Sequence, residues 1–219
     1  MCKKGTGTTY MLQIKNLTLT HKKDLREILS DFSCVFNNGD KAVIIGEEGN
    51  GKSTLLKWLY DPLMVEEYCE AEGERLISGE VLGYLAQELP KEDQQKSVYE
   101  FFSEQESFWN QTPKELNQTA AKFNIAPDFF YGEQQMSTLS GGEKVKAQLM
   151  RILFAEPTVL LLDEPSNDID IETLETLEEL ILSWDKIVIY ISHDETLIER
   201  TANKIIHIEQ IRRKTKSRF

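Results

Sequence analysis

Residues 42–60 read Ala42-Val-Ile-Ile-Gly-Glu-Glu-Gly-Asn-Gly-Lys-Ser-Thr-Leu-Leu-Lys-Trp-Leu-Tyr60. A short β-branched apolar run, a glycine-rich loop and a helical run follow one another, which is the beginning of a parallel α/β unit. The loop, Gly46 to Ser53, fits G-x-x-x-x-G-K-[ST] in the strand-to-helix context that this pattern requires. Its glycines let the chain wrap so that successive N–H groups face a β-phosphate. Lys52 supplies a point charge for the β/γ oxygens, and the Ser53 hydroxyl is placed to ligate Mg²⁺. The phosphate-binding candidates are therefore Gly46, Glu47, Glu48, Gly49, Asn50, Gly51, Lys52, Ser53 and Thr54. A plain glycine-rich turn is the competing reading of the loop alone. Glu47 and Glu48 would repel a polyphosphate, so both are expected to face outward.

Three further stretches outweigh that competing reading. Thr158-Val-Leu-Leu-Leu-Asp163-Glu164-Pro165 is an all-apolar run suited to a buried parallel strand, and it ends in adjacent carboxylates. Alternation sends the two side chains in different directions, so that Asp163 can serve Mg²⁺ while Glu164 faces the place of an attacking water. Ile187-Val-Ile-Tyr-Ile-Ser192-His193-Asp194 is a second buried-strand pattern, delivering His193 at its C-terminal end, where ligand sites of open α/β sheets collect. His193 is a candidate contact to a γ-phosphate or the attacking water, whereas His207 reads as a strand residue without assigned chemistry. Leu139-Ser-Gly-Gly-Glu143 is a capping box in which Ser140 and Glu143 open a helix with apolar residues Val145, Leu149, Ile152 and Leu153. Two glycines just inside the cap leave N–H groups uncovered for an anion.

In this order the elements resemble the ATP-binding cassette (ABC) ATPases, from the strand at Leu12 to about Glu209. The resemblance implies a P-loop α/β cassette with a mixed nucleotide-binding core sheet, an N-terminal antiparallel β subdomain and a helical subdomain at about 90–155. It implies ATP and Mg²⁺ as ligands, with Ser53, Gln87 and Asp163 around the metal. Gln87, in Tyr84-Leu-Ala-Gln-Glu88, falls at the family's glutamine loop, and 166–170 falls at the loop that meets an opposing cassette. Glu164, His193 and Gln87 are the catalytic set by this transfer, while Ser140, Gly141, Gly142 and Glu143 would meet the γ-phosphate of the other cassette in a head-to-tail pair. The adenine-stacking position usually holds an aromatic ring, and here His21 is the nearest candidate. Glu143-Lys144, Asp163-Glu-Pro-Ser-Asn-Asp-Ile-Asp170 and Ile191-Ser-His-Asp194 resemble the ABC-F branch, most closely the first cassette of the antibiotic-resistance type. That implies a cytoplasmic, ribosome-associated ATPase with a second cassette as partner. The ATP-binding subunit of a transporter, docked on a membrane permease, is the alternative.

Composition fits a single domain. The chain has 219 residues and a formal net charge of −12, which disfavours broad electrostatic binding of nucleic acid by its body. Positive charge gathers instead in Arg212, Arg213, Lys214, Lys216 and Arg218, either a solvated tail or, by the ABC-F resemblance, the start of a linker near RNA. No apolar run approaches the length of a membrane span. Cys2, Cys34 and Cys69 are scattered, as reduced thiols would be. Residues 1–10 are expected to be a disordered lead-in, 11–209 a single domain and 210–219 a basic tail. Ser97-Val-Tyr-Glu-Phe-Phe102 and Lys114 to Phe123 read as short helices, and Ile171 to Ile181 as an amphipathic surface helix. The aromatics Phe101, Phe102, Phe108, Trp109, Phe129, Phe130 and Tyr131 are either the small core of the helical subdomain or a docking surface.

Overall fold

The structure is a computed structural model, and it describes residues 11–77 and 79–208. The lead-in at 1–10 and the basic tail at 210–219 lie outside the described residues. Among the described residues, eight strands form two sheets. Strands β1 (Met11–His21), β2 (Glu27–Asn37) and β4 (Cys69–Ile77) make an antiparallel sheet in the order β2-β1-β4, and β3 (Lys41–Ile45), β5 (Leu82–Leu85), β6 (Val159–Asp163), β7 (Ile187–Ile191) and β8 (Lys204–His207) make the core sheet in the order β5-β6-β7-β3-β8. The turn at Asn37 closes through an Asp40 N–H bond to its carbonyl, and Gly39 takes the positive φ that the turn needs.

Every pairing in the core sheet is parallel, so the expected mixed sheet is corrected in that detail. Antiparallel pairing is confined to the smaller sheet, because helical crossovers return the chain to the same end of the core before each new strand. Two of those strands are wholly apolar and wholly buried: β6 up to Asp163, and all of β7. Such runs belong to a sheet covered on both faces. Alternation then divides them. Leu160, Leu162, Val188 and Tyr190 join the core under the helical subdomain, while Val159, Leu161, Ile187, Ile189 and Ile191 join the core beneath the antiparallel sheet and helix α1 (Lys52–Tyr60).

The short helices α2 (Leu63–Glu66), α3 (Lys91–Gln94), α4 (Val98–Ser103), α5 (Glu106–Trp109) and α6 (Pro113–Lys122) precede the long α7 (Gly141–Phe154); α8 (Ile171–Ser183) and α9 (Glu195–Thr201) complete the crossovers. Helices α4 and α6 each start with a capping box, Ser97/Glu100 and Thr112/Glu115, and Pro113 sits in the first turn of α6, where its missing N–H costs nothing. Of the subdomain aromatics, Phe101, Phe102, Phe108 and Phe130 are buried; Phe102, Phe108 and Phe130 pack ring on ring with Phe154 of α7, and Phe101 packs edge-on to Phe102. They are the subdomain's own core, and only Trp109 and Tyr131 among the seven are largely exposed. The buried side of α7 carries Ala147, Leu149, Met150 and Phe154, so the expected stripe is rotated, with Val145, Ile152 and Leu153 half-buried beside it. Tertiary surroundings set that rotation, since α7 is packed by the core sheet on one side and the aromatic core on another.

Candidate nucleotide site

Three adjacent strands of the core sheet, β6, β7 and β3, end at one edge, and β5 ends beside β6. This topology gathers motifs that lie more than a hundred residues apart in sequence. The phosphate loop leaves β3 at Gly46, the carboxylates leave β6, Ser192 and His193 leave β7, and Gln87 follows β5.

Gly46 must be glycine for two reasons: its φ is +152°, and a Cβ there would lie 2.4 Å from the carbonyl oxygen of Ile208. Gly51 caps α1 in a left-handed conformation, with φ +80°. Glu47 and Glu48 are exposed, as expected, although Glu48 still lines the cleft above the loop. That cleft has a volume of about 510 Å³ and is bordered by His21, Arg26, Gly49, Lys52, Ser53, Thr54, Tyr68, Gln87 and Glu164. Lys52 is buried and folded back, its Nζ donating to the carbonyls of Gly46 and Glu47 at 2.9 Å each. The ammonium is thus held at the loop by two acceptors that a phosphate oxygen could replace.

Across the loop, the Ser53 hydroxyl donates to Asp163 Oδ1 at 2.9 Å, and the Tyr84 hydroxyl donates to Asp163 Oδ2 at 3.2 Å. Asp163 is almost completely buried, and burial pushes its carboxyl above the ordinary aspartate value against the opposing effect of these two donors. Burial also raises the Tyr84 hydroxyl, with the nearby Asp163 charge adding to it, so Tyr84 stays a proton donor. A hydroxyl and a buried carboxylate in contact are hard oxygen donors of the kind Mg²⁺ takes beside phosphates and water.

Glu164 adopts a left-handed backbone, φ +49°, at the strand end. That conformation is uncommon for a residue with a side chain and is pinned here by its N–H bond to the Ile191 carbonyl of β7 and by Asn167 N–H bonding back to its own carbonyl. The result turns Glu164 away from Asp163. Its Oε2 accepts from Gln87 Nε2 at 3.1 Å and from the Asn167 amide, and its Oε1 stands 3.8 Å from His193 Nε2. Glu164, Gln87 and His193 therefore meet at one point, beside but apart from the Ser53–Asp163 pair. Asn167 was missed at the sequence level as a partner of the carboxylate.

Ser140 and Glu143 form the expected capping box: Glu143 N–H donates to Ser140 Oγ, and Ser140 N–H donates to Glu143 Oε2 at 2.9 Å. They do not approach the cleft over Lys52. Ser140 and Glu143 line a separate groove with Ile125, Phe129, Gln134 and Lys146. The two glycines have a packing reason that the sequence did not disclose. A Cβ on Gly141 would lie 2.2 Å from the Asp168 carbonyl oxygen, and one on Gly142 would lie 2.5 Å from Thr173 Oγ1 and 2.6 Å from Asp170 Oδ2. The start of α7 is pressed against the loop that follows the carboxylates, and Asp170 in that loop caps α8.

His21 does border the cleft, but not alone. Its ring is 6.4 Å from that of Tyr68, tilted at 47°, and its Nδ1 is 3.1 Å from Asp24 Oδ1. Tyr68 and Arg26 are cleft residues that no sequence motif flagged, since one lies in an irregular segment before β4 and the other in the β1–β2 turn. Among the described residues no group of three or more His, Cys, Asp or Glu side chains could hold a metal by itself, and no helix is long and apolar enough to cross a membrane.

A phosphate loop on β3, a carboxylate pair on β6, a glutamine after β5 and a separate Ser-Gly-Gly helix start, on this two-sheet and helical-subdomain plan, define an ABC ATPase cassette. The sequence profile of the ABC transporter family matches residues 29–167, more than half of the chain, and the protein belongs to that family. Within it, the chain is related to the ABC-F proteins. It is 34% identical over 187 residues to the ATP-binding protein Uup of Escherichia coli, covering 82% of this chain and 28% of Uup. It is 32% identical over 201 residues to the energy-dependent translational throttle protein EttA of Haemophilus influenzae, covering 90% of this chain and 34% of EttA. The chain thus spans about a third or less of the curated relatives it matches. A bacterial Atm1-family ABC exporter with ATP bound shares the fold, with a TM-score of 0.72 at 22% identity over 93% of this chain and 38% of the exporter.

Proposed function

We propose that the chain binds Mg·ATP in the cleft over Lys52 and hydrolyses it when two cassettes close head to tail, as a cytoplasmic ABC-F type factor of translation or ribosome protection. The observation that carries the enzymatic part is the convergence of Glu164, Gln87 and His193 beside the Ser53–Asp163 pair. The separation of Ser140 from Lys52 supports the pairing, because each chain then offers two half-sites that only a second cassette can complete. The relatedness to EttA, a translational throttle protein by name, supports the translation reading, and in that reading the basic run from Arg212 to Arg218 starts a linker near RNA.

In this reading the loop N–H groups and Lys52 hold the β- and γ-phosphates, with Lys52 exchanging its two carbonyl acceptors for phosphate oxygens. Ser53 and Asp163 hold Mg²⁺, which supplies charge neutralisation at the phosphates. Gln87 and His193 orient a water whose oxygen attacks the γ-phosphorus. Glu164 accepts its proton as the bond to the β–γ bridging oxygen breaks and ADP leaves. Ser140 and the Gly141–Gly142 amides of the second cassette face the γ-phosphate. In the same reading His21, with Tyr68 beside it at the cleft, takes the adenine ring.

Turnover per chain is expected to rise with protein concentration or on adding a second cassette, and Glu164→Gln is expected to bind ATP, remain paired and lose hydrolysis. Concentration-independent turnover would reject the pairing, and near-normal hydrolysis by Glu164→Gln would reject Glu164 as the base. Co-sedimentation of Glu164→Gln with ribosomes under ATP tests the translation role. A second reading, the ATP-binding subunit of a transporter, draws on an apolar groove of about 250 Å³ between β5 and the helical subdomain, lined by Tyr60, Met64, Leu82, Tyr84 and Phe101. ATP-dependent association with membranes carrying a permease, and none with ribosomes, would favour it.

A further inference from the structure

We propose that Tyr84 is a positioning residue for the Asp163 carboxylate, and that its hydroxyl sets how tightly the nucleotide-bound divalent cation is held. The inference rests on the assignment of Ser53 and Asp163 to that cation. An aspartate carboxylate turns easily about its last torsion, which is broad and nearly two-fold. At this position both oxygens are tied, Oδ1 by the Ser53 hydroxyl at 2.9 Å and Oδ2 by the Tyr84 hydroxyl at 3.2 Å. Asp163 is only 1% exposed, so bulk water cannot replace either donor.

Tyr84 is itself fixed from two sides. Its backbone is in the β5–β6 ladder, in register with Leu161, two residues before Asp163. Its ring stacks on Tyr60 at the end of α1, with centroids 5.2 Å apart and planes at 25°. The helix that opens with Lys52 and Ser53 therefore carries, at its other end, the ring that steadies Tyr84. Ser53 and Tyr84 grip the carboxylate from opposite sides, each using one lone pair of one oxygen. The lone pairs left over keep a fixed direction for the cation or its water. The Ser53 hydroxyl oxygen can serve the cation while its proton stays hydrogen-bonded to Oδ1, whereas the Tyr84 hydroxyl is hydrogen-bonded to Asp163 Oδ2.

Partners that orient metal-site ligands typically change metal affinity by about 10- to 100-fold when removed. Tyr84→Phe deletes the hydroxyl and keeps the ring on Tyr60. Binding of a fluorescent, slowly hydrolysed ATP analogue is measured against Mg²⁺ concentration, and again in EDTA. Tyr84→Phe is expected to raise the Mg²⁺ concentration for half-maximal binding about tenfold, with EDTA affinity unchanged and a lowered thermal midpoint, since a buried carboxylate oxygen loses its donor. Equal Mg²⁺ dependence in Tyr84→Phe and the parent protein overturns the proposal. Tyr84→Leu, which also removes the stacking ring, separates a packing role: if it alone shifts the Mg²⁺ curve, the hydroxyl has no part and the proposal fails. Asp163→Asn isolates the reading beneath it. If Asp163→Asn leaves the Mg²⁺ curve in place, the cation assignment itself is wrong; if it moves the curve while Tyr84→Phe does not, only Tyr84 is released from its role.

Discussion

Gly141→Ala puts two opposed effects into one methyl group. In the first turn of α7, alanine gains up to about 0.5–1 kcal/mol over glycine from helix propensity. Against this, the new Cβ would lie 2.2 Å from the Asp168 carbonyl oxygen, where carbon and oxygen need about 3.3 Å. Roughly 1 Å must be found, and since the Cβ is fixed directly to the helix backbone and the oxygen belongs to the loop backbone, no side chain can rotate away. Overpacking costs about 1–3 kcal/mol, and a clash of this size with nothing to yield lies at the upper end, about 2–3 kcal/mol, which leaves a net loss of about 1–2.5 kcal/mol in urea unfolding. The strain falls on the loop between Glu164 and the Asp170 cap of α8, and a 1 Å misplacement near reacting groups can cost about 100-fold in rate. Turnover of the paired cassettes should therefore drop by at least about tenfold. Nucleotide binding by the single chain should stay within about twofold, because Gly141 does not border the cleft over Lys52. A variant as stable as the parent, with its hydrolysis intact, would refute the claim that packing against Asp168 fixes this glycine.

Gly46→Ala meets the Ile208 carbonyl oxygen at 2.4 Å and should lower ATP affinity by at least about tenfold in equilibrium binding, since the loop cannot keep its wrap. Phe102→Ala, in the middle of the aromatic core, should cost about 3–5 kcal/mol in denaturant unfolding, and Trp109→Ala, 60% exposed, about 1 kcal/mol or less. His21→Ala should weaken ATP binding by about 1 kcal/mol, roughly fivefold, as expected for one lost stacking ring; unchanged affinity together with a loss in Tyr68→Leu would move the base contact to Tyr68. The Ser97 amide and hydroxyl hold the Glu100 carboxyl below its ordinary value, and the Thr112 hydroxyl and amide do the same for Glu115. Their support is complete above the ordinary glutamate pKa and fades as pH falls through the lowered folded values. Thermal midpoints followed below about pH 5 should therefore fall more steeply for the parent than for Glu100→Gln/Glu115→Gln, and parallel curves would remove these caps from the acid response.

What was legible in the sequence is local, and what was hidden is long-range. The strand-loop-helix from Ala42 to Tyr60, the buried runs before Asp163 and His193, and the Ser140–Glu143 box each carry their pattern within a dozen residues, and each forms as expected. The direction of the core pairing was legible in part: the all-apolar runs before Asp163 and His193 point to buried parallel strands, and the mixed sheet was an expectation carried by the family resemblance. The rotated face of α7 depends on two separate cores meeting it, which no periodicity in one helix reveals. Tyr68, Arg26 and Asn167 reach their places through turns whose geometry carries no motif.

The glycines of 139–143 show how a correct local reading can still miss a cause. They do leave amides bare at a helix start, as an anion site requires, yet Gly141 is also fixed by Asp168 and Gly142 by Thr173 and Asp170. Those contacts join the start of α7, the half-site proposed for a second cassette, to the loop that follows this chain's own Glu164. Closure around a nucleotide held by the opposing chain would press on α7, and α7 has little room to move toward the loop, because the space between Gly141 and the Asp168 carbonyl oxygen is too small even for a methyl group. If the pair acts as proposed, the two half-sites of one chain are coupled mechanically through the Gly141–Asp168 contact. Gly141→Ala then loses turnover even where pairing under ATP survives, and loss of pairing with normal turnover per pair would argue against that coupling.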